Sequence, residues 1–598
     1  MSRLNGPLLL RGISASQGIA IGRAFVHSKE MPPIRQRPIA PHQVEAEAER
    51  FLATLHQAGE ELRRTRRLVA GEHGEELAQI FDAQLAMLAD VEMKDRTLQC
   101  IRQYHCSAER AFQRALEEMK SGFASIADEY LRQRLSDLLD IEQQVLLRLA
   151  GGDLQALASL RGSAVVVAHD LLPSEAVHLG GRRVKGIVLE VGGPTSHAAI
   201  IARSLGLPTV LGTAECTRVI SSGDLLIVDG NAGEVHVRPT DVALREHRTV
   251  LRRQQRRERD LSARRGLAAV TRDGKEITLL ANIDVPSEVQ LAAANGARGV
   301  GMYRTEYLFL GYQLPTEEEQ RAAYSQIVQG MAPYPVTIRT IDLGGDKLGM
   351  SLKGAVELNP YLGWRGIRVS LDAPELLKIQ LRAILRAGAH GDVCALLPMV
   401  ASLDELRRAR ALLEEARSEL RASGEACAEH CPLGVMVEVP SVALMADQFA
   451  QEADFLSLGT NDLIQYTLAV DRSNARVAPL YDPFHPAVLR LIDLVVKSAG
   501  AHRVPVSICG EIAGDPRATL VLLGLGIERL SMSPGLIPEV KEAIRSVALG
   551  RARQVAAECL QLRTGAEVRT LLGIGASPTS APAATRSEAT PGRGSRQR

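Results

Sequence analysis

The chain has 598 residues, of which 45% are hydrophobic and 24% charged, and its formal net charge is +1. That length exceeds one ordinary core and predicts roughly three or four domains. A charge this close to zero argues against general nucleic-acid binding, whose footprint is a strongly basic face.

The opening residues MSRLNGPLLLRG hold a short apolar patch without a small-residue cleavage site, unlike a signal peptide. No apolar run approaches the ~20 residues that span a bilayer. A soluble, cytoplasmic protein is expected. The eight cysteines are scattered, which suits reduced thiols better than a disulfide framework. Cys427, His430 and Cys431 cluster, but no second pair follows at zinc-site spacing, so a surface loop is expected there.

In chain order, the first residues are Gly-rich and β-like (GISASQGIAIGRAFV). Residues 31–150 then turn rich in Glu, Arg, Leu, Ala and Gln. Ile80, Phe81, Leu85 and Leu88 recur at helical spacing, which predicts a helical bundle. From Ala164 short β-rich runs closed by Gly and Asp return: AVVVAHD, GIVLEVGG and LLIVDGNAGEVHV. One economical reading joins residues 1–30 and 151–240 as a single α/β domain, with the bundle inserted in it. Residues 241–265 read as a charged helical connector. Its Arg252-Arg253-Gln254-Gln255-Arg256-Arg257 run is followed by Glu258 and Asp260, as on a solvated helix face.

Residues 266–573 alternate strand and helix. Candidate strands begin at Ile277, Gly299, Val336, Val393, Leu433, Phe455, Val504 and Glu528. Eight βα units in ~300 residues fit a TIM (β/α)8 barrel. The tail 574–598, made of Ala, Pro, Ser, Thr, Gly and Arg, lacks the apolar content to offset its ordering entropy and is expected to be disordered.

Barrel chemistry sits where strands end at the C-terminal face. Arg304 and Glu306 follow the second candidate strand. Arg339 and Asp342 end the third, with Asp346 and Lys347 beyond. Glu438 ends the fifth, and Asn461, Asp462 and Arg472 follow the sixth. Cys509 and Glu511 end the seventh. Guanidinium forks match phosphate and carboxylate oxygens, and Mg2+ is held by one or two carboxylates with substrate oxygens and water. The expected ligand is a small, multiply anionic phosphate bound with Mg2+. Singly, each of these residues also reads as a salt bridge sealing the rim; their recurrence at strand ends favours the ligand. Cys509 has two open readings, an inert buried thiol and a proton-donating or nucleophilic one.

The stretch VGGPTSHAAIIARSLGLPTVLGT is the most informative. Gly192 and Gly193 permit a turn, Pro194 fixes it, and Thr195 and Ser196 are capping residues before the apolar-periodic run. His197 therefore falls at a helix start. Backbone N–H groups there favour an anion such as a phosphoryl group carried on the ring. No glycine-rich P-loop is present, so the phosphate donor is not expected to be a nucleotide.

GGPTSHAAIIAR closely resembles the phosphohistidine signature of Enzyme I of the phosphoenolpyruvate:sugar phosphotransferase system. MYRTEYLFL, TIDLGGDK, NPYLGWRGIR, VMVEVP, FLSLGTNDLIQYTLAVDR and SICGEIAGDP resemble its barrel motifs in order, from about Gly12 to about Leu572. Pyruvate phosphate dikinase and phosphoenolpyruvate synthase share the histidine signature but carry a further ATP-binding domain.

The resemblance implies a swivelling phosphohistidine α/β domain with an inserted helical bundle, followed by a barrel that binds phosphoenolpyruvate. The phosphoacceptor falls on His197 and the proton donor on Cys509. The phosphoenolpyruvate-binding residues fall on Arg304, Arg339, Asn461 and Arg472, and the Mg2+ ligands on Glu438 and Asp462. The bundle is implied to dock the phosphocarrier protein HPr, and the barrel to form a homodimer. Two positions depart from the family pattern and lose a hydroxyl: Leu172 in DLLPS and Ala198 after the histidine. A paralogue feeding a regulatory, nitrogen-type phosphorelay is the same-class rival; its usual N-terminal sensory domain is not seen here. A non-catalytic phosphoenolpyruvate sensor is the other, and intact His197 and Cys509 argue against it.

Overall fold

The structure, a computed structural model, describes residues 6–27, 38–73, 80–123, 129–150, 163–171, 184–192, 197–309, 314–344, 359–472, 474 and 476–574. Leu172, residues 193–196, the side chain of His197, Asp346, Lys347 and residues 575–598 lie outside the described set. The chain divides into two compact units, residues 1–257 and 258–598. Among the described residues no helix is long and apolar enough to cross a membrane.

The first unit holds one eight-stranded sheet built from both sides of the bundle. Its strands are β1 (Leu8–Arg11), β2 (Ile13–Ser16), β3 (Ile19–His27), β4 (Ala164–Ala168), β5 (Val184–Leu189), β6 (Thr209–Leu211), β7 (Leu225–Asp229) and β8 (Glu234–Val237). Their order is β1-β8-β7-β3-β4-β5-β6-β2. The N-terminal strand β3 pairs in parallel with β4, and Arg23 lies opposite Ala164, so the helical residues between them are an insertion within one sheet. Side chains alternate across a strand. Val166 and Ala168 face one apolar layer, which includes Ala198, Ala199, Ile201 and Ala202 of the helix His197–Ser204. Val165 and Val167 face the other layer, with Val188, Val210 and Leu226.

The bundle comprises Val44–His73, Ile80–Ala89, Val91–Tyr104, Ala108–Phe123 and Glu129–Leu149. Phe51, Leu62, Phe81, Met93, Ile101, Phe112 and Leu116 are fully or almost fully buried within it. Inside this core Asp140 accepts from Gln84 Nε2 at 2.9 Å and from Gln144 Nε2 at 2.8 Å. Asp90 starts the third helix: its carboxylate accepts from the Glu92 N–H at 2.7 Å and the Met93 N–H at 3.2 Å. Substituting Asp90→Ala leaves those first-turn donors without their acceptor. It should destabilise the fold by about 1 kcal/mol, read as a lower denaturant midpoint at unchanged slope.

The second unit is a closed, all-parallel barrel of eight strands: β9 (Thr278–Ile283), β10 (Val300–Tyr303), β11 (Val336–Arg339), β12 (Val393–Leu397), β13 (Leu433–Val437), β14 (Phe455–Leu458), β15 (Val506–Ile508) and β16 (Arg529–Met532). Met532 opposite Ala281 closes the ring. All eight expected strands are present. Again alternation decides packing. Tyr303, Ala395, Leu397, Val435 and Val437 pack outward on the helices. Met302, Leu396, Met436 and Cys509 form a separate small cluster in the barrel interior. Reciprocal capping boxes, Thr316 with Glu319 and Ser402 with Glu405, start two of the surrounding helices.

Asp241–Ala263 form one helix, with Arg252, Arg253 and Arg256 exposed. The Cys427–Cys431 segment is a loop, but Cys431 turns inward to 4% exposure and joins the barrel core. Burial pushes its thiol up to about 12. Among the described residues no group of three or more His, Cys, Asp or Glu is arranged to hold a metal.

Candidate active site at the barrel mouth

Of the charged residues expected at the strand ends, Glu306, Arg339, Asp342, Glu438 and Asp462 lie close together. Arg339, the last residue of β11, is buried to 8% exposure. Its Nη2 donates to Glu306 Oε1 at 2.7 Å, and its Nη1 lies 3.1 Å from Asp342 Oδ2. Burial opposes its charge, but Glu306, Asp342 and Glu438 outweigh burial and raise its pKa. Its Nε is buried without a hydrogen-bond partner.

Asp342 also holds Arg365 in a two-pronged pair, Nε to Oδ1 at 3.1 Å and Nη2 to Oδ2 at 2.8 Å. Arg365 Nη1 lies 3.9 Å from Asp462 Oδ1, and the guanidinium sits 5.6 Å from the Tyr361 ring centre. Arg365 was not singled out in sequence. It lies on the long segment after β11, away from a strand end, although the NPYLGWRGIR stretch contains it. The next residue, Gly366, has φ +59°, and a Cβ there would lie 2.9 Å from Met399 Cβ and 3.2 Å from Asp342 Oδ1. Only glycine suits that backbone.

Glu438 follows β13 and is fully buried. Its Oε1 accepts from the Met399 N–H at 2.6 Å, with Met399 itself in the left-handed region at φ 57°. Its Oε2 has no hydrogen-bond partner, and neither has Asp462 Oδ1. Burial, with Asp342 and Asp462 nearby, raises the Glu438 pKa, and Arg339 offsets only part of this. Two buried carboxylates, each with an unsatisfied oxygen, fit a hard divalent cation that takes its remaining ligands from substrate and water.

Asn461 is tied to Glu511: its Nδ2 donates to Glu511 Oε1 at 3.2 Å, and its Oδ1 accepts from the Glu511 N–H at 3.0 Å. Arg304 pairs with Asp284 at 2.9 Å, both about one-third exposed, at 35% and 39%. Asp284, at the end of β9, was also missed; the reading of that strand stopped at its last apolar residue. Arg472 lies exposed on the loop after the helix Thr460–Leu468, with its N–H on Gln465 Oε1 at 3.2 Å.

Cys509 lies beyond β15 at 2% exposure. Its Sγ accepts from Ser457 Oγ at 3.3 Å, and its S–H donates to the Leu458 carbonyl oxygen at 3.6 Å. Burial raises its pKa. The Ser457 hydrogen bond, Arg339 and Arg304 pull the other way, while Glu438 adds to the rise. The resting group is therefore a neutral thiol that holds a proton at the mouth.

In the other unit, the helix His197–Ser204 begins at His197. The Ala that follows, one of the two departures from the family pattern, is buried to 5% against the sheet.

Three family descriptions match in series: PEP-utilising enzyme, N-terminal, over residues 11–134; PEP-utilising enzyme, mobile domain, over 160–233; and PEP-utilising enzyme, PEP-binding domain, over 258–549. Together with the barrel and its mouth they define the chain as a PEP-utilising enzyme. The phosphoenolpyruvate-protein phosphotransferase of Haemophilus influenzae is 40% identical over 565 residues, 94% of this chain and 98% of that protein. That of Geobacillus stearothermophilus is 40% identical over 560 residues, 94% of this chain and 96% of its own. A solution structure of an Enzyme I protein is 35% identical over 41% of this chain and 99% of its own, with a TM-score of 0.37. The chain belongs to the phosphoenolpyruvate-protein phosphotransferase family.

Proposed function

We propose that this chain transfers the phosphoryl group of phosphoenolpyruvate to its own His197 and from there to a histidine of the phosphocarrier protein HPr, the first step of a sugar phosphotransferase system. The observation that carries the barrel half of this reading is the buried set Arg339, Arg365, Asp342, Glu438 and Asp462, with unsatisfied oxygens on the last two.

In this reading Arg304, Arg339, Asn461 and Arg472 hold the phosphate and carboxylate of phosphoenolpyruvate. Glu438 and Asp462 hold Mg2+, which when bound supplies positive charge to the phosphate and enolate oxygens. The pairs to Glu306 and Asp342 fix the Arg339 fork before substrate arrives, so little reorganisation is left for the transition state. His197 attacks phosphorus, the P–O bond to the enolate breaks, and Cys509 gives its proton to the departing enolate of pyruvate. Residues 1–30 and 151–240 then act as a swivelling domain. Residues 31–150 dock the carrier, and 241–265 serve as the connector. A homodimer through the barrel and a cytoplasmic location complete the proposal.

Incubation with 32P-labelled phosphoenolpyruvate and Mg2+ tests it. The expected label is acid-labile and base-stable, and purified HPr should discharge it. Label that no histidine-bearing carrier removes would overturn the carrier assignment.

The role of Cys509 has its own test. Cys509→Ala should leave phosphoenolpyruvate binding nearly unchanged, because Cys509 carries no charge toward the substrate in its thiol form. Turnover should slow, and pyruvate formed from chirally labelled phosphoenolpyruvate should lose its stereochemical definition as the enolate picks up protons from water. Stereochemically defined pyruvate from the mutant would remove Cys509 from the donor role.

A further inference from the structure

Inside the barrel, below the mouth, lies a polar layer that substrate binding leaves unexplained. Ser457 on β14 is fully buried, and Ser507 on β15 is 9% exposed. Ser507 Oγ donates to Ser457 Oγ at 3.1 Å, and Ser457 Oγ donates to Cys509 Sγ at 3.3 Å. Alongside, Ser531 Oγ donates to Asn282 Oδ1 at 2.6 Å, and Asn282 Nδ2 donates to the Cys509 carbonyl oxygen at 2.8 Å.

The energetics of this arrangement are lopsided. A buried hydroxyl must place its proton on an acceptor. Ser457 spends its proton on a thiol sulfur, a weak acceptor. An apolar side chain there would pack in the barrel interior beside Met436, its cross-strand neighbour, without that cost. The return becomes large only when the sulfur carries charge, because hydrogen bonds to ionised acceptors are about twice as strong. Because Ser507 donates to the Ser457 oxygen, the Ser457 proton is left committed to the sulfur.

We infer that Ser457 is a positioning residue for the proton-transfer step: its hydroxyl holds the Cys509 sulfur in place and stabilises the thiolate that the step creates. The inference rests on the reading of Cys509 as proton donor. In that step the Cys509 S–H bond breaks, and the proton goes to the terminal methylene carbon of the enolate. The π pair of the enolate forms the new C–H bond, and the S–H pair stays on sulfur. The thiolate regains a proton from water once pyruvate leaves. The Ser457 interaction is thus stronger after proton transfer than before it, which is the condition for accelerating a step rather than tightening binding.

The test is a double-mutant cycle on the full-length protein with Mg2+, phosphoenolpyruvate and its phosphoryl acceptor. Ser457→Ala should lower kcat about 10-fold, the scale of a hydrogen bond lost to a charged partner, with KM for phosphoenolpyruvate unchanged. In the Cys509→Ala background the same substitution should cost nothing further, because the group it serves is gone. Ser507→Ala, one link further away, should give a smaller loss that also vanishes without Cys509. A melting temperature equal to the parent's checks the fold. Two decreases that simply multiply would mean a general structural role and overturn the inference, as would full kcat in Ser457→Ala when Cys509→Ala is slow. If Cys509→Ala alone keeps full kcat and stereochemical control, the donor reading fails first and this inference falls with it.

Discussion

His197→Ala should remove all covalent labelling by phosphoenolpyruvate while phosphoenolpyruvate still binds. The helix His197–Ser204 starts at this residue, and the positive end of a helix dipole favours an anion nearby. Alanine has the higher helix propensity, and the buried Ala198, Ala199, Ile201 and Ala202 that seat the helix on the sheet are untouched. The fold should therefore survive, with a melting temperature close to the parent's. Loss of label should be complete rather than partial, because in the proposed reaction His197 is the sole acceptor. The same variant separates the two halves of the reaction: equilibrium binding of phosphoenolpyruvate to the barrel should persist at near-parental affinity. Normal labelling stoichiometry in the mutant would move the phosphoacceptor elsewhere.

What could be read in sequence follows from how barrels are built. Each strand is a short apolar run closed by a loop, so eight such runs were visible, and every polar residue just past a run was a candidate for the mouth. That logic finds Arg304, Arg339, Glu438, Asn461, Asp462 and Cys509 because each lies within a few residues of a strand end. It does not find Arg365, which reaches the site from a long segment and is oriented by Asp342 rather than by strand register. It also does not find Asp284, whose partnership with Arg304 joins the ends of β9 and β10. Ser457 was invisible for a further reason: one serine among leucines in FLSL reads as a tolerated polar substitution, and only the fold places its hydroxyl against the Cys509 sulfur. Pairing of β3 with β4 across the inserted bundle was available only as an economical guess, since pairing leaves no local periodicity.

Glu438→Gln and Asp462→Asn should each reduce phosphoenolpyruvate-dependent labelling by at least ~100-fold, beyond the 10–100-fold loss typical of removing a group that merely supports a metal ligand. The argument turns on charge. Glu438 is fully buried, gives one oxygen to the Met399 N–H and leaves the other unsatisfied beside Asp342 and Asp462. A buried carboxylate next to two others is unfavourable unless a cation arrives. The amide in Glu438→Gln keeps an oxygen for Met399 but removes a negative charge. In the absence of divalent metal, Glu438→Gln should therefore melt at or above the parental temperature. Mg2+ should raise the parent's melting temperature, because ligand bound only to the native state stabilises it by mass action. The mutants should show little of that rise. Stability gained without metal and lost sensitivity to metal, in the same variant that loses activity, is the signature of a ligand rather than of a structural salt bridge. A structural carboxylate would instead lower the melting temperature when neutralised and leave the Mg2+ titration in place. Unchanged Mg2+ dependence of labelling in both variants would put the cation somewhere other than on these two carboxylates.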